Sequence, residues 1–579
     1  MKIHSMIKTA AVSLCAVMMT ASCDVETTTV MFSEDNDLSQ PTDTVFSVLG
    51  ILSKLQHVVE PVVVLGETRG DLVSLDPLIT EGELYRLQNF DYAEDTTYNR
   101  YSDFYAVINN CNYFLSRADT AMERRGKQVF IKEYAAVSAI RAWTYLQLAK
   151  IYGEVPFYTH PLLTYSDIEQ VANDRSNRKG MVDICSYFIE DLQPFVDTPY
   201  PGYGDFTYAY NSTVYSRYFF FPVRLLLGDL LLWRGSCTGS EADFARAAQY
   251  YHDYLLANEK FVEPEMLECY NSSDFSTVFT SWRLAFASAQ NSENISFVPM
   301  ASSATYGYTG TLAKVFSNFD CSESLQRFAS ETLYCFVAYT REGNDTYPSR
   351  FVLSLDSLYY GTKENPQPYY CVSVPGEPVY TRGDLRLYSP TNGYCNPPSY
   401  KYYTSNPHVV TYRTGVSYLR LAEAINRAGY PLTAFNILKF GLSRGNLIRY
   451  DANGEYSRLM ASGYTFYDMG DNTSNIGIHA RGCGNAEMDT LNYSLPAMAT
   501  RADSVRAVED LIINELALES AYEGNRFYDL MRFAFRRGNE YLASRVARRD
   551  YPEVADDQIS SLPLYSRLID RNSWYLPVP

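Results

Sequence analysis

The stretch Glu515-Leu516-Ala517-Leu518-Glu519-Ser520-Ala521-Tyr522-Glu523-Gly524-Asn525-Arg526-Phe527-Tyr528-Asp529-Leu530-Met531-Arg532 decides the fold. Glu515, Glu519 and Glu523 recur at i, i+4 and i+8, so they share one helix face. Like charges at that spacing repel, and a facing arginine is expected close by. Gly524 interrupts the pattern, and Arg526, Asp529 and Arg532 continue on a second helix. Acid–base chemistry also uses clustered carboxylates. The spacing is read instead as an ion-pair lattice that locks two helices.

The same helix–turn–helix scheme occurs three more times. Phe104, Ile108, Cys111 and Leu115 are spaced for one helix face. Tyr134, Ser138, Ala142, Tyr145, Ala149 and Tyr152 continue on a partner, which stops at Gly153 with Pro156 beyond. Trp143 falls within that helix and is expected in the core. Pro222 to Trp233 pairs with Asp243 to Leu256 across a turn at Gly235-Ser240. Tyr418 to Ala428 pairs with Pro431 to Phe440 across Gly429. The 515–532 stretch belongs to the last pair, Val505 to Tyr522 with Asn525 to Phe535. Small residues stand where a neighbour must pack, as in tetratricopeptide units. The predicted fold is mainly α: a helical-pair scaffold with long loop-rich insertions at 258–412 and 446–500 and a few short strands, such as Ile295-Ser296-Phe297-Val298. Long loops on a rigid scaffold are where binding usually resides.

The opposite end of the chain bears on location. Lys2 and Lys8 precede an apolar run, Thr9 to Thr20, and Ala21-Ser22-Cys23 follows. A basic start, a short apolar core and small residues describe a secretory leader. The run is too short to span a hydrocarbon core of ~30 Å. A cysteine directly after the small residues resembles a lipobox, in which Cys23 is acylated and residues 1–22 are removed. The protein is then expected to hang from a membrane by its lipid (palmitate) rather than by a spanning helix. Residues 23–42 read as a polar tether, 43–257 as an N-terminal region with the first two helical pairs, and 258–579 as a C-terminal region with the last two. The stretches Val62-Val64 and Leu225-Trp233 read as too short to cross a bilayer.

The formal net charge of −18 argues against nucleic acid, whose phosphates require basic patches. The 11 cysteines show no CxxC spacing; without Cys15 and Cys23 an odd number remains, so at least one stays unpaired within the chain. Tyrosine is over-used, 51 against 4 tryptophans. Its flat face and polar tip suit stacking on sugar or peptide, although most copies are expected to line helix seams.

Five stretches together resemble the SusD/RagB family of outer-membrane nutrient-binding lipoproteins. They are Glu67-Thr68-Arg69-Gly70-Asp71, Phe104 to Asn112, Arg141 to Leu146 running on to Tyr152-Gly153-Glu154-Val155-Pro156, Tyr418 to Ala424, and Glu515 to Arg532. Asp384-Leu385-Arg386 and the ending Leu576-Pro577-Val578-Pro579 agree. Two departures stand out. Leu516 occupies a position where the family usually has arginine, and the 446–500 insert carries an unassigned Gly477-Ile478-His479-Ala480-Arg481-Gly482. The resemblance implies a non-enzymatic, outward-facing outer-membrane lipoprotein. It would capture an oligomeric nutrient, a glycan in preference to an oligopeptide, and pass it to a SusC-type TonB-dependent β-barrel transporter. By position relative to the family motifs, ligand contacts are expected at Tyr92, Tyr98 and Tyr101 and at Trp282, Tyr306 and Tyr308. The alternative is a tetratricopeptide-like interaction scaffold.

Catalytic patterns are weak. Gly441-Leu442-Ser443-Arg444-Gly445 fits G-x-S-x-G, but a helix precedes it where a nucleophile elbow needs a strand. Asp451-Ala452-Asn453-Gly454-Glu455 lacks the sixth-position glycine and twelfth-position glutamate of a calcium loop. The histidines are scattered singly, and no phosphate-binding or dinucleotide motif is present. No catalytic residue, metal ligand or cofactor is expected.

Overall fold

The structure is a computed structural model, and it describes residues 41–75, 81–92, 97–207, 213–260, 262, 290–300, 308–316, 327–329, 358–362, 365–369, 408–462, 477–480, 493–551 and 554–578. Cys23, the leader, Trp282, Tyr306 and Asp384-Leu385-Arg386 lie outside them. The described residues are mainly helical, and all four expected pairs are present. The first is α2 (Tyr101–Arg117) with α3 (Ile131–Tyr152), the second α5 (Val223–Thr238) with α6 (Glu241–Ala257), the third α7 (Thr414–Arg427) with α8 (Pro431–Phe440), and the fourth α9 (Arg501–Ser520) with α10 (Arg526–Arg537). Helix α6 packs on α7, and α7 on α9, so the last three pairs form one continuous body despite the long insertion between them.

Local chemistry sets the helix ends. The Ser240 hydroxyl accepts the Asp243 N–H at the start of α6, and Thr500 accepts that of Asp503 at the start of α9. Pro431 occupies the first turn of α8, where its missing N–H costs nothing. The turn expected at Gly235-Ser240 is shorter than that: α5 runs on to Thr238, and Gly239 takes the left-handed conformation that ends it. Gly235 lies inside α5 because Phe244 presses on it: a β-carbon there would sit 2.8 Å from the ring.

Several helices were not legible, three of them long parts of the frame. Helix α4 (Met181–Leu192) packs between α3 and α5, and α11 (Asn539–Arg548) follows α10. Helix α1 (Pro41–Thr68) precedes the first pair and begins inside the stretch read as tether. By length and composition α1 could cross a membrane, although only its Val62-Val64 stretch stood out in the sequence, as too short. It is a core helix: Val48, Leu55, Val58, Val64 and Leu65 are fully buried against α2, α3 and α10. Two-stranded antiparallel pairs accompany the helices among the described residues. Strand β1 (Asn294–Pro299) runs antiparallel to β2 (His408–Arg413), pairing Val298 with Val409 and Asn294 with Arg413.

The charges of the decisive stretch form a buried lattice that spans more than two helices. Arg532 donates to both Glu423 oxygens, at 2.7 and 2.6 Å, and stands 2.9 Å from Asp529. Arg420 lies 2.7 Å from Asp529, and Arg427 pairs with Glu423 and with Glu509. Burial pushes the Glu423 carboxyl up, but Arg427 and Arg532 outweigh it and hold it at about 2. A folded pKa below the unfolded value means that this stability exists above the ordinary glutamate range and is lost as pH falls toward 2. The loss is on the order of 3 kcal/mol for this site. Urea titrations at pH 6 and pH 3 are expected to show a falling midpoint, and Glu423→Gln, less stable at pH 6, is expected to flatten the fall.

The first and last family-like stretches clasp each other. Arg526 grips both oxygens of Asp71, at 2.5 and 2.8 Å, and Gly524 N–H donates to Glu67 at 2.8 Å. Arg69 donates to the Leu65 and Trp574 carbonyls, and its guanidinium stands 4.3 Å over Phe527. The chain end is held too: Leu576 N–H donates to Ile151 at the end of α3.

Candidate functional site

The first turn of α2 carries Arg100, Tyr101 and Asp103, with Arg100 and Asp103 3.6 Å apart. Helix α2 presents them because its opposite face, Phe104, Ile108 and Cys111, is fully buried. Tyr101 meets Tyr105 at 5.0 Å and Tyr152 at 4.9 Å, both edge to face. Tyr105 stacks on Tyr158 and donates to the Pro156 carbonyl, while Tyr152 donates to Asn99. This tyrosine tier leaves Tyr101 partly exposed at its edge.

Facing that turn are α1 and the segment at 308–316. Tyr308 packs against His57 with ring centroids 4.4 Å apart, and both are half-buried. Thr311 donates its N–H and hydroxyl to Glu60. Burial lowers the His57 pKa and raises those of Glu60 and Tyr308, and Arg100 and Asp103 act on both His57 and Tyr308. Arg100 and Asp103 on the first turn of α2 thus act electrostatically on His57 and Tyr308, so that turn, with Tyr101, His57 and Tyr308, forms one rim, with the Glu60 carboxyl buried beneath it. Such a surface offers flat faces and both donors and acceptors, which suits a polar, hydroxyl- or amide-rich ligand.

The other expected contacts sit differently. Tyr98 is buried, with its N–H donating to Glu83. Tyr92 is half-buried; its hydroxyl accepts from Arg69 at 3.4 Å, next to the clasp. Sequence reasoning did not single out His57, Glu60, Arg100 or Asp103. Nothing in their local spacing joins residue 57 to residue 103; only the packing of α1 on α2 does.

The remaining motifs have scaffold roles. Ser443 is buried, follows α8 and precedes a short helix, so no strand leads into it. Asp451 accepts from Tyr456 and Ser457 backbone N–H groups and caps the helix Glu455–Ala461. His479 of the unassigned insert stacks on Tyr493 at 3.6 Å and bonds to Glu515. Leu516, the departure, is fully buried among apolar residues. Trp143 is buried and stacks on Phe221 at 4.9 Å.

A mainly helical frame of tetratricopeptide-like pairs, carrying a tyrosine-lined rim at the edge of a loop-rich insertion, defines the class. Residues 385–579 match the model of the SusD family. The fold agrees across nearly the whole chain. A SusD homolog from Bacteroides thetaiotaomicron superposes with a TM-score of 0.55 at 14% identity, covering 92% of this chain and 92% of its own. A SusD superfamily protein from Bacteroides vulgatus gives 0.51 at 14%, covering 93% and 98%. One from Bacteroides fragilis gives 0.50 at 16%, covering 87% and 91%. No curated protein matches the sequence significantly.

Proposed function

We propose that this protein is a surface-exposed, lipid-anchored outer-membrane receptor. It captures an oligomeric nutrient, a glycan in preference to an oligopeptide, and delivers it to a SusC-type TonB-dependent transporter without altering it. The SusD-family match over residues 385–579 carries the reading. The rim supports it with chemistry suited to holding a ligand: stacking faces at Tyr101 and Tyr308, and polar groups at Arg100, Asp103 and His57. Trp282 and Tyr306 are assigned to the same ligand surface through their place in the segment that leads to Tyr308, while Tyr92 and Tyr98 are left to the frame. Acylated Cys23 supplies the anchor.

Affinity measurements against panels of oligosaccharides and oligopeptides test this. At least one glycan class is expected to bind, with Tyr101→Ala and Tyr308→Ala each weakening it by about 1–2 kcal/mol, the worth of one aromatic stacking platform. Binding to neither panel by the folded protein refutes nutrient capture. Peptide binding alone refutes the glycan preference.

A further inference from the structure

A cavity of about 90 Å³ lies inside the frame, where α1, α3, α5, β2 and the start of α10 meet. That is room for several waters, or for one small ion with a water beside it. Its polar lining includes Gln147, Lys150, Asp229, Arg420 and Glu523. Lys150 has no carboxylate partner among the described residues. Its ammonium stands 4.3 Å over the Tyr528 ring and 6.0 Å from that of Trp233. The strongest charge acting on it is another cation, Arg420.

The carboxylates nearby are already committed. Asp229 accepts the Tyr412 hydroxyl at 2.8 Å and that of Tyr251. Both Glu523 oxygens are taken by Arg413, at 2.7 and 2.8 Å. Asp529 is ion-paired with Arg420 and Arg532, although neither of its oxygens is in hydrogen-bond alignment. Arg420 Nη1 is close to Asp529 but out of hydrogen-bond alignment, so it keeps donor capacity. The Gln147 side-chain oxygen is buried and has no hydrogen-bond partner among the described residues. An ammonium without a carboxylate partner and a guanidinium with spare donor capacity thus converge on one partly open cavity. Leaving them bare is costly in a low-dielectric interior.

We propose that this cavity binds a small monovalent anion of chloride size, held between Lys150 and Arg420, with a water that donates to both the anion and the Gln147 oxygen completing its shell. The anion would let two like charges coexist at this junction, tying α3 to α7 through Lys150 and Arg420. Burial and the repulsion from Arg420 push the Lys150 ammonium down to about 7, and a bound anion opposes that shift. Asp229 and Asp529 act in the same sense as the anion, and Arg532 against it.

Bromide is the probe. Crystals of the mature protein soaked in bromide are expected to show anomalous density in this cavity, in contact with Lys150 Nζ. In solution, chloride is expected to raise the melting temperature by about 1–2 °C over gluconate at equal ionic strength. Lys150→Met, whose side chain suits the space against Tyr528 and Trp233, is expected to remove that difference. Bromide found only at the protein surface, or a cavity holding water alone, overturns the proposal; the diffraction test needs no variant to fold. Equal melting of the unsubstituted protein in both salts overturns it as well.

Discussion

Gly524→Ala is expected to destabilise the protein by about 3–5 kcal/mol, combining left-handed backbone strain with overpacking against main chain. Gly524 has φ +81, a conformation that costs an L-residue roughly 1–2 kcal/mol. A β-carbon there would lie 2.4 Å from the Val63 Cα, and main chain cannot swing aside as a side-chain tip can. The crowding is mutual, since a β-carbon on Gly66 would lie 1.9 Å from the Gly524 carbonyl oxygen. Any shift that relieves the contact also pulls the Gly524 N–H from Glu67. Gly50→Ala is the control. Gly50 lies in the same helix α1, is exposed, and has no neighbouring atom within 4 Å of the added carbon. It is expected to gain about 0.5–1 kcal/mol of helix propensity. Denaturant unfolding of both variants checks the pair, and equal stability of Gly524→Ala and the parent sinks the close-approach argument.

The break at Gly524 was visible in the sequence as a helix interruption, while its reason was not. A glycine between two helices predicts a turn; that it also admits α1 is a fact about residues more than 450 positions away. The same division holds elsewhere. Helix α3 was legible because Tyr134, Ser138, Ala142 and Tyr145 keep a helical period beside a clear stop at Gly153. Helix α1 was not, because protein surrounds it. Its apolar residues cover most of its circumference, which leaves no polar stripe to set the period, and only Val62-Val64 stood out. The exposed and buried tyrosines are chemically identical in sequence, so Tyr98 and Tyr101, three positions apart, could not be separated into core and rim.

Electrostatics shows the limit most sharply. The shared face of Glu515, Glu519 and Glu523 followed from helix geometry, and so did the need for an opposing arginine. The arginines nearest in sequence, Arg526 and Arg532, are paired with Asp71 and Glu423 instead. The partner of Glu519 and Glu523 is Arg413, at the end of β2, and Glu515 is met by His479 from the insert. Spacing along one helix fixes which charges stand together; only the tertiary path decides what answers them.

Arg413→Met is accordingly expected to be among the most damaging single changes, at about 3–5 kcal/mol or more. Arg413 is buried and donates to Glu519 at 2.6 Å, to both oxygens of Glu523, to Glu293 at 2.9 Å and to the Glu519 carbonyl. Removing it leaves three acidic groups at one site with no cation between them, and the desolvation that the pairing offset then stands alone. The variant should also respond to pH in reverse. In the parent the partnered carboxylates of the frame lose stability on acidification, as Glu423 does. In Arg413→Met the orphaned carboxylates acquire folded pKa values above their unfolded ones, so the folded state takes up protons first and stability rises as pH falls from 7 to 5. Adding Glu519→Gln and Glu523→Gln should recover part of the loss at pH 7 and abolish the inverted slope. Unfolding midpoints across that pH range decide the matter. A parallel fall in parent and variant would mean that the three glutamates do not depend on Arg413, and the lattice would have to be redrawn around another cation.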